Sequence, residues 1–143
     1  MQTLDAAIEI EAPAERVWEV LIDFASYPQW NPFITRAEGI PVEGARLRIT
    51  IRAPGYRPVT FKPHVLRVVA GRELTWLGRT FLPGLFDGRH SLTVEPLDES
   101  RARFRTHEEV TGILLPVLGK VMRASQQGFE EFSAALKTRA EGR

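Results

Sequence analysis

The sequence predicts an α+β fold in which an antiparallel sheet of about six or seven strands packs against one long C-terminal helix. The first observation is that apolar and polar residues alternate, as in half-buried strands, in most segments between Ile34 and about Gly112. The second is that a similar alternation opens the chain in TLDAAIEIEAP and is followed by two short helical segments. The third is that apolar residues recur at steps of three and four from about Leu114 to Arg139, as on one face of a helix.

The overall composition is that of an ordinary globular protein. The chain has 143 residues, a formal net charge of +1, 43% hydrophobic and 26% charged residues. This length fits one domain, residues 1–143, and the balanced charge argues against a disordered chain or a nucleic-acid partner.

The sequence contains no cysteine, which excludes disulfides, thiolate nucleophiles and cysteine metal sites. The segment MQTLDAAIEIEAP lacks the pattern of a leader peptide, and no later segment approaches the roughly 20 apolar residues that span a bilayer. We therefore expect a cytoplasmic protein without stable membrane insertion.

Two short helices are predicted after the first strand. The segment AERVWEVLID places Val17, Trp18 and Leu21 on one face of a helix. In the following segment, FASYPQWNPF, Pro28 and Pro32 allow only a short helical turn before the chain becomes extended. The sequence therefore predicts a helical pair and not one long rod.

Strand signals dominate the middle of the chain. In RLRITIR the apolar residues alternate with arginines and a threonine, and ELTWLGRT has the same period. In the longer run VTFKPHVLRVVA, Phe61 is out of phase with Leu66 and Val68. Because proline cannot donate a hydrogen bond to a neighbouring strand, we predict a bulge near Pro63.

The predicted C-terminal helix has one continuous apolar face, and its charged residues lie elsewhere. Pro116 fits within the first turn, where the missing N–H of proline is not needed. The residues of the apolar face are Leu118, Met122, Ser125, Phe129, Phe132 and Leu136.

The two strands before this helix are predicted to form a hairpin with a defined register. The segments FDGRHSLTVEP and RFRTHEEVTG are separated by LDESR, and a three-residue loop sets Val94 opposite Phe104. A slip of one residue would place Arg103 and Arg105 among apolar residues, which disfavours other registers. The pairs predicted on the inner face are Val94 with Phe104, Leu92 with Thr106, His90 with Glu108 and Gly88 with Val110.

The pair of His90 and Glu108 is the most informative feature of this hairpin. Burying polar groups costs several kcal/mol unless they satisfy each other or meet water. Three interpretations remain open: a mutually hydrogen-bonded structural pair, a polar anchor for an otherwise apolar ligand, or an acid/base catalytic pair. In the last, the carboxylate would hold the imidazole in one tautomer while the other ring nitrogen moves a proton.

Several longer motifs resemble the SRPBCC superfamily. They are IEIEAPAERVWEVLIDFASYPQWNP, ELTWLG, GLFDGRHSLTVEP and EEVTGILLPVLG, which together cover nearly the whole chain. Members include polyketide cyclases and dehydrases, lipid-transfer START-like domains and pollen-allergen-type ligand binders. The resemblance implies the helix-grip fold, in which a curved sheet wraps the last helix and leaves a cavity between them.

If such a cavity exists, the inner faces of the sheet and the helix supply its walls, and Trp30 caps its mouth. We then expect a small hydrophobic ligand whose polar end is oriented by His90 and Glu108. The residues predicted to contact it are Trp30, Trp76, His90, Leu92, Phe104, Thr106, Glu108, Val110, Met122 and Phe129. For each apolar residue among them, packing in the core is the alternative, because strand or helix periodicity alone predicts burial.

Two other function classes remain possible. One is an enzyme similar to the polyketide cyclases and dehydrases, with His90 as general acid or base and Glu108 as its orienting partner. The other is a protein-binding adaptor that resembles chaperone activators and uses the outer face of the sheet. No cofactor is expected, and with only three histidines, one of them predicted on the outer face, no metal site is expected. The sequence does not predict the oligomeric state.

Overall fold

A computed structural model describes residues 1–80, 84 and 86–142 and confirms the predicted α+β helix-grip architecture. The described residues form eight strands, three α-helices and two 3-10 turns. The strands are β1 Gln2–Ile10, β2 Ile34–Glu38, β3 Arg48–Ile51, β4 Val59–Phe61, β5 His64–Val69, β6 Glu73–Thr80, β7 Phe86–Pro96 and β8 Ala102–Thr111. The helices are α1 Ala14–Ile22, α2 Tyr27–Trp30 and α3 Gly119–Ala140, and the 3-10 turns are Phe24–Ser26 and Leu115–Val117.

The strands form two antiparallel sheets that continue into each other. The larger sheet has the order β1-β8-β7-β6-β5, and the smaller has the order β2-β3-β4. Backbone hydrogen bonds join them, because Gly44 N donates to Val65 O at 2.9 Å and Leu47 N donates to Pro63 O at 2.9 Å. The two sheets therefore act as one curved surface around α3.

The run predicted as one strand around Pro63 is divided between the two sheets. Strand β4 ends at Phe61 in the smaller sheet, and β5 begins at His64 in the larger one. The bulge predicted near Pro63 lies instead between Val65 and Arg67. It turns Leu66 outward, where that side chain is 40% exposed, while Val65 is buried.

The predicted hairpin register is confirmed. Strands β7 and β8 pair Val94 with Phe104 and His90 with Glu108, and every other predicted pair is also present. On the outer face Arg103 lies between two carboxylates, at 3.4 Å from Glu9 and 3.5 Å from Glu95. The alternation of apolar and charged residues was thus sufficient to fix this part of the sheet.

Helix α3 begins later than predicted but buries the predicted face. Pro116 lies in the separate 3-10 turn, and the helix starts at Gly119 instead of near Leu114. The buried residues of α3 are Met122, Ser125, Gly128, Phe129, Phe132, Ser133, Leu136 and Ala140. None of the helices in the described part of the chain has the length and apolar character that crossing a membrane requires.

Candidate functional site

A cavity of about 300 Å³ lies between the two sheets and the first half of α3. Its wall is mostly apolar and draws on both sheets, the chain before β2 and the helix. This combination of an apolar wall and a few polar groups is typical of small-molecule sites. The described residues of the wall are Leu4, Phe33, Ile51, Val59, Phe61, Gly78, Phe86, Gly88, Glu108, Val110, Leu118, Val121, Met122 and Ser125.

Two paired glycines shape the sheet side of the cavity. Gly78 on β6 lies directly opposite Gly88 on β7. A Cβ atom on Gly78 would lie 2.9 Å from the Phe61 ring, and one on Gly88 would lie 2.1 Å from Glu108 Oε2. Since real Cβ atoms do not approach so closely, the two glycines are what allow Phe61 and Glu108 to fold over the sheet at this point.

Glu108 is the only ionisable side chain on the described wall of the cavity. Among the described residues, none forms a hydrogen bond or an ion pair with its carboxyl group. Glu108 is enclosed by the protein, and its remaining exposure is toward the cavity. Burial disfavours the charged form and raises the pKa of this carboxyl to about 7. Glu108 can therefore exist in both protonation states near neutral pH.

Ser125 supplies the other polar side chain of the wall. It lies on α3, is 9% exposed, and has no hydrogen-bond partner among the described residues. Its hydroxyl group can donate or accept a hydrogen bond. The cavity thus offers one carboxyl from the sheet and one hydroxyl from the helix.

His90 faces the packed core beside the cavity. Its ring stacks on Phe129 with the centroids 4.9 Å apart and meets Trp76 edge-on at 5.0 Å. His90 Nε2 forms a 2.6 Å hydrogen bond with Thr106 Oγ1. Burial is the main cause that lowers the pKa of His90 to about 3, so the imidazole is neutral at physiological pH.

The side chains of His90 and Glu108 are directly opposite but do not pair. Of the hydrogen bonds between described residues, none joins the two. The His90 ring turns along the strand toward Thr106, whereas the Glu108 carboxyl turns the other way and lies over Gly88. The mutually hydrogen-bonded pair, one of the three interpretations of the sequence, is therefore not formed, because neighbouring aromatic rings hold the imidazole and a glycine leaves room for the carboxyl.

The structure brings three of the ten predicted contact residues onto the cavity wall: Glu108, Val110 and Met122. The others do not belong to its described wall, and except for Trp30 they are buried in the core beside it. The physical reason is that aromatic rings from the sheet and from α3 fill the middle of the fold, which displaces the cavity toward the paired glycines. The predicted residues outside the wall are Trp30, Trp76, His90, Leu92, Phe104, Thr106 and Phe129.

Trp30 does not cap the cavity mouth. Its ring stacks on Phe132 of α3 with the centroids 6.1 Å apart and meets Tyr27 edge-on at 5.2 Å. These contacts belong to the packing of α2 against α3. The two neighbouring prolines indicate where the chain turns but not which surface the Trp30 ring meets.

Sequence reasoning missed most of the wall. The opposition of Gly78 and Gly88 could have been found by extending the hairpin register to ELTWLGRT. Ser125 was placed on the inner face of the helix but not in the site. Phe33, before β2, and the wall residues of β3 and β4 reach the cavity only because of the way the smaller sheet is placed against α3. The periodicity of a sequence does not predict that placement.

The other ionisable clusters lie away from the cavity. In the part of the chain that the structure describes, no group of three or more metal-ligating side chains comes together. On the outer face of the larger sheet, Asp5 Oδ1 bonds to His107 Nδ1 at 2.9 Å and to Arg105 Nε at 2.7 Å. The use of this face by a protein partner stays a prediction.

Comparisons with known proteins agree with this architecture. Residues 1–141 match the profile of the family described as "Polyketide cyclase / dehydrase and lipid transport". No curated protein is similar enough in sequence to count as a match.

Solved structures with the same fold have low sequence identity. A START superfamily protein from Mycobacterium smegmatis is 21% identical, with a TM-score of 0.77 over 97% of each chain. The Zhui aromatase/cyclase from a Streptomyces species is 15% identical, with a TM-score of 0.75 over 98% of this chain and 93% of its own. The di-domain ARO/CYC BexL is 20% identical, with a TM-score of 0.77, and this chain spans about half of it, 99% of this chain aligning with 47% of BexL.

Proposed function

Because the chain belongs to the polyketide cyclase/dehydrase and lipid transport family, as the SRPBCC resemblance predicted, we propose that it binds a small apolar molecule in the cavity between the sheet and α3. The observation that carries this proposal is the composition of the wall. Twelve of its fourteen described residues are glycines or apolar side chains, and the other two, Glu108 and Ser125, have no protein partner among the described residues.

The size of the cavity favours a compact ligand. Small-molecule pockets typically range from about 300 to 1,000 Å³, so a cavity of about 300 Å³ is at the lower end. A molecule with one or two fused rings fits this space better than a long-chain lipid. Burial of its apolar surface would supply most of the affinity, at roughly 25 cal/mol per Å² before the costs of association.

The first test is binding of the neutral fluorescent probe N-phenyl-1-naphthylamine. Val121 lies on α3 and lines the cavity, so Val121→Trp should fill part of the space and abolish the rise in probe fluorescence. Glu130→Trp introduces the same side chain at an exposed position on the same helix and should bind the probe as the parent does. Circular dichroism of both variants checks that they fold.

The outcome for the Val121→Trp variant decides the proposal. Loss of binding there, with one probe bound per chain in the parent and in Glu130→Trp, supports a ligand site in the cavity. Equal binding by a folded Val121→Trp variant, or no binding by the parent, would contradict it.

A second candidate function is acid/base catalysis in the same cavity. The observation that favours it is Glu108, whose unpaired carboxyl has a pKa of about 7 and borders an apolar space. A general acid or base works best when its pKa lies near the working pH. In this mechanism Glu108 acts without His90, because His90 Nε2 is hydrogen-bonded to Thr106 Oγ1.

Catalysis would be visible as proton exchange on a model ketone. We expect an active protein to accelerate deuterium uptake into the methyl group of 2-acetonaphthone in heavy water, measured by NMR. The rate should rise with pH through about 7 as Glu108 ionises, and Glu108→Gln should remove the acceleration. If the probe binds but deuterium exchange stays at the rate of buffer alone, the cavity binds ligands without catalysing proton exchange on this class of ketone.

A further inference from the structure

We propose that the cavity selects ligands that carry a positively charged amine, which pairs with the Glu108 carboxylate while the apolar part of the ligand occupies the rest of the space. This inference rests on the proposed binding function and adds the chemical class of the ligand. It starts from a charge that the described protein groups leave unpaired.

The wall of the cavity provides a carboxyl but no cation. None of the described wall residues is a lysine, arginine or histidine, and Glu108 has no partner among the described residues. An ionised carboxylate in an enclosed apolar site is costly unless an opposite charge or hydrogen-bond donors accompany it. Since the described residues make no such contact with Glu108, the ammonium group of a ligand would be the ion-pair partner of this carboxylate.

The groups around Glu108 leave the ligand as the source of positive charge. On β1 the residue paired with Glu108 is Leu4, and on β7 the Glu108 carboxyl lies over Gly88. On β7 the residue directly opposite Glu108 is His90, which burial holds neutral. The side chains that α3 and β4 contribute to the same wall are Val121, Met122, Ser125, Val59 and Phe61, and none of them titrates or carries a charge.

Ser125 strengthens the preference for an amine. Its hydroxyl is the other polar group of the described wall and has no partner among the described residues. An ammonium group has three N–H donors, so it can donate to the Glu108 carboxylate and to the Ser125 oxygen together. An alcohol has one donor, and a carboxylate ligand has none and would be repelled by Glu108.

Binding of an amine should depend on pH in a way that separates it from binding of a neutral molecule. Below about pH 7 Glu108 is increasingly protonated and loses its charge, so the affinity of the amine should fall. The affinity should be highest near pH 8, where the ligand is still an ammonium ion, and should fall again when the ligand deprotonates. The affinity of a neutral alcohol of the same shape should not decline at high pH, because the alcohol has no ammonium group to deprotonate.

The test compares three molecules with the same ring system: 2-naphthylmethylamine, 2-naphthylmethanol and 2-naphthoate. Each displaces N-phenyl-1-naphthylamine from the protein at pH 8 and at pH 5. We expect the amine to bind about tenfold more tightly than the alcohol at pH 8, and the acid to bind most weakly. At pH 5 the advantage of the amine over the alcohol should largely disappear.

Matched variants assign the effect to one residue. Glu108→Gln should reduce the advantage of the amine over the alcohol to about twofold or less. Glu109→Gln changes the next residue, which is exposed on the outer face, and should leave the order of affinities unchanged. Because the pH comparison uses the parent protein, it decides the question even if Glu108→Gln does not fold.

Two failures can be told apart. If the neutral probe does not bind to the parent, the proposed function fails and the amine preference fails with it. If the probe binds but the alcohol or the acid displaces it as well as the amine does, the cavity is a binding site and the amine preference is refuted.

Discussion

Glu108 and Gly88 show how single residues determine the chemistry of the cavity. The sequence predicted correctly that Glu108 lies on the inner face, because the hairpin register leaves it no other place. It did not predict that the carboxyl would lean over Gly88 and away from His90. That choice depends on the aromatic rings of Trp76 and Phe129 holding the imidazole, and Phe129 comes from a distant helix.

Gly88→Ala tests the close approach of the carboxyl. The new Cβ atom would lie 2.1 Å from Glu108 Oε2, which is the end of a flexible side chain and can move at low cost. We expect the free energy of unfolding to fall by only about 1 kcal/mol, whereas the affinity for 2-naphthylmethylamine should fall severalfold. Urea denaturation and probe displacement measure the two effects. A large loss of stability with unchanged amine affinity would contradict this role of Gly88.

At the scale of elements, α3 and the divided run around Pro63 explain what the sequence could and could not predict. The spacing of apolar residues identified the buried face of α3 and most of its length. The start at Gly119 was missed because Pro116 fits a 3-10 turn as well as a first helical turn. The division into β4 and β5 was missed because local alternation does not show which sheet a strand joins.

Gly128 marks a point where α3 approaches the chain before β2. A Cβ atom there would lie 2.3 Å from the ring of Phe33, which is itself buried and packs edge-on against Phe129 at 5.5 Å. We expect Gly128→Ala to lower the free energy of unfolding by about 1 to 2 kcal/mol, because overpacking outweighs the roughly 1 kcal/mol gained in helix propensity.

Gly119→Ala is the control for adding a Cβ atom to a glycine of α3 that has no close neighbour. A Cβ atom on Gly119 meets nothing closer than Arg123 Nη1 at 3.6 Å, so this variant should be as stable as the parent or more stable. Urea denaturation of both variants gives the comparison. Equal stabilities would show that Phe33 adjusts freely and that the contact does not fix the position of the helix.

At the scale of the whole molecule, two buried groups make the stability depend on pH in opposite directions. His90 has a pKa of about 3 in the folded state and an ordinary pKa of 6.5 in the unfolded chain. Between these two values the unfolded chain binds more protons than the folded one, so the stability of the fold rises with pH. Glu108 has a pKa of about 7 in the folded state and 4.5 without burial, so the folded chain binds more protons and stability falls as the pH rises from 4.5 to 7. From these two groups we expect a rise from pH 3, a plateau between about 4.5 and 6.5, and a decline toward 7.

Glu108→Gln isolates the second of these effects. The variant cannot ionise at this position, so its free energy of unfolding relative to the parent should increase between pH 4.5 and 7. The increase should be on the order of 1 to 3 kcal/mol, measured by urea denaturation at each pH. If the parent and the variant give parallel curves over this range, Glu108 does not carry a raised pKa in the folded protein.

The most direct test of a ligand cavity bordered by Glu108 is the NMR titration of its side-chain carboxyl carbon. The signal is assigned by its loss in Glu108→Gln, and its chemical shift is followed against pH with and without 2-naphthylmethylamine. We predict a pKa near 7 in the free protein and a lower value when the amine is bound, because the ammonium group stabilises the carboxylate. A carboxyl that titrates near its ordinary pKa of 4.5 and is unaffected by the amine would contradict the account.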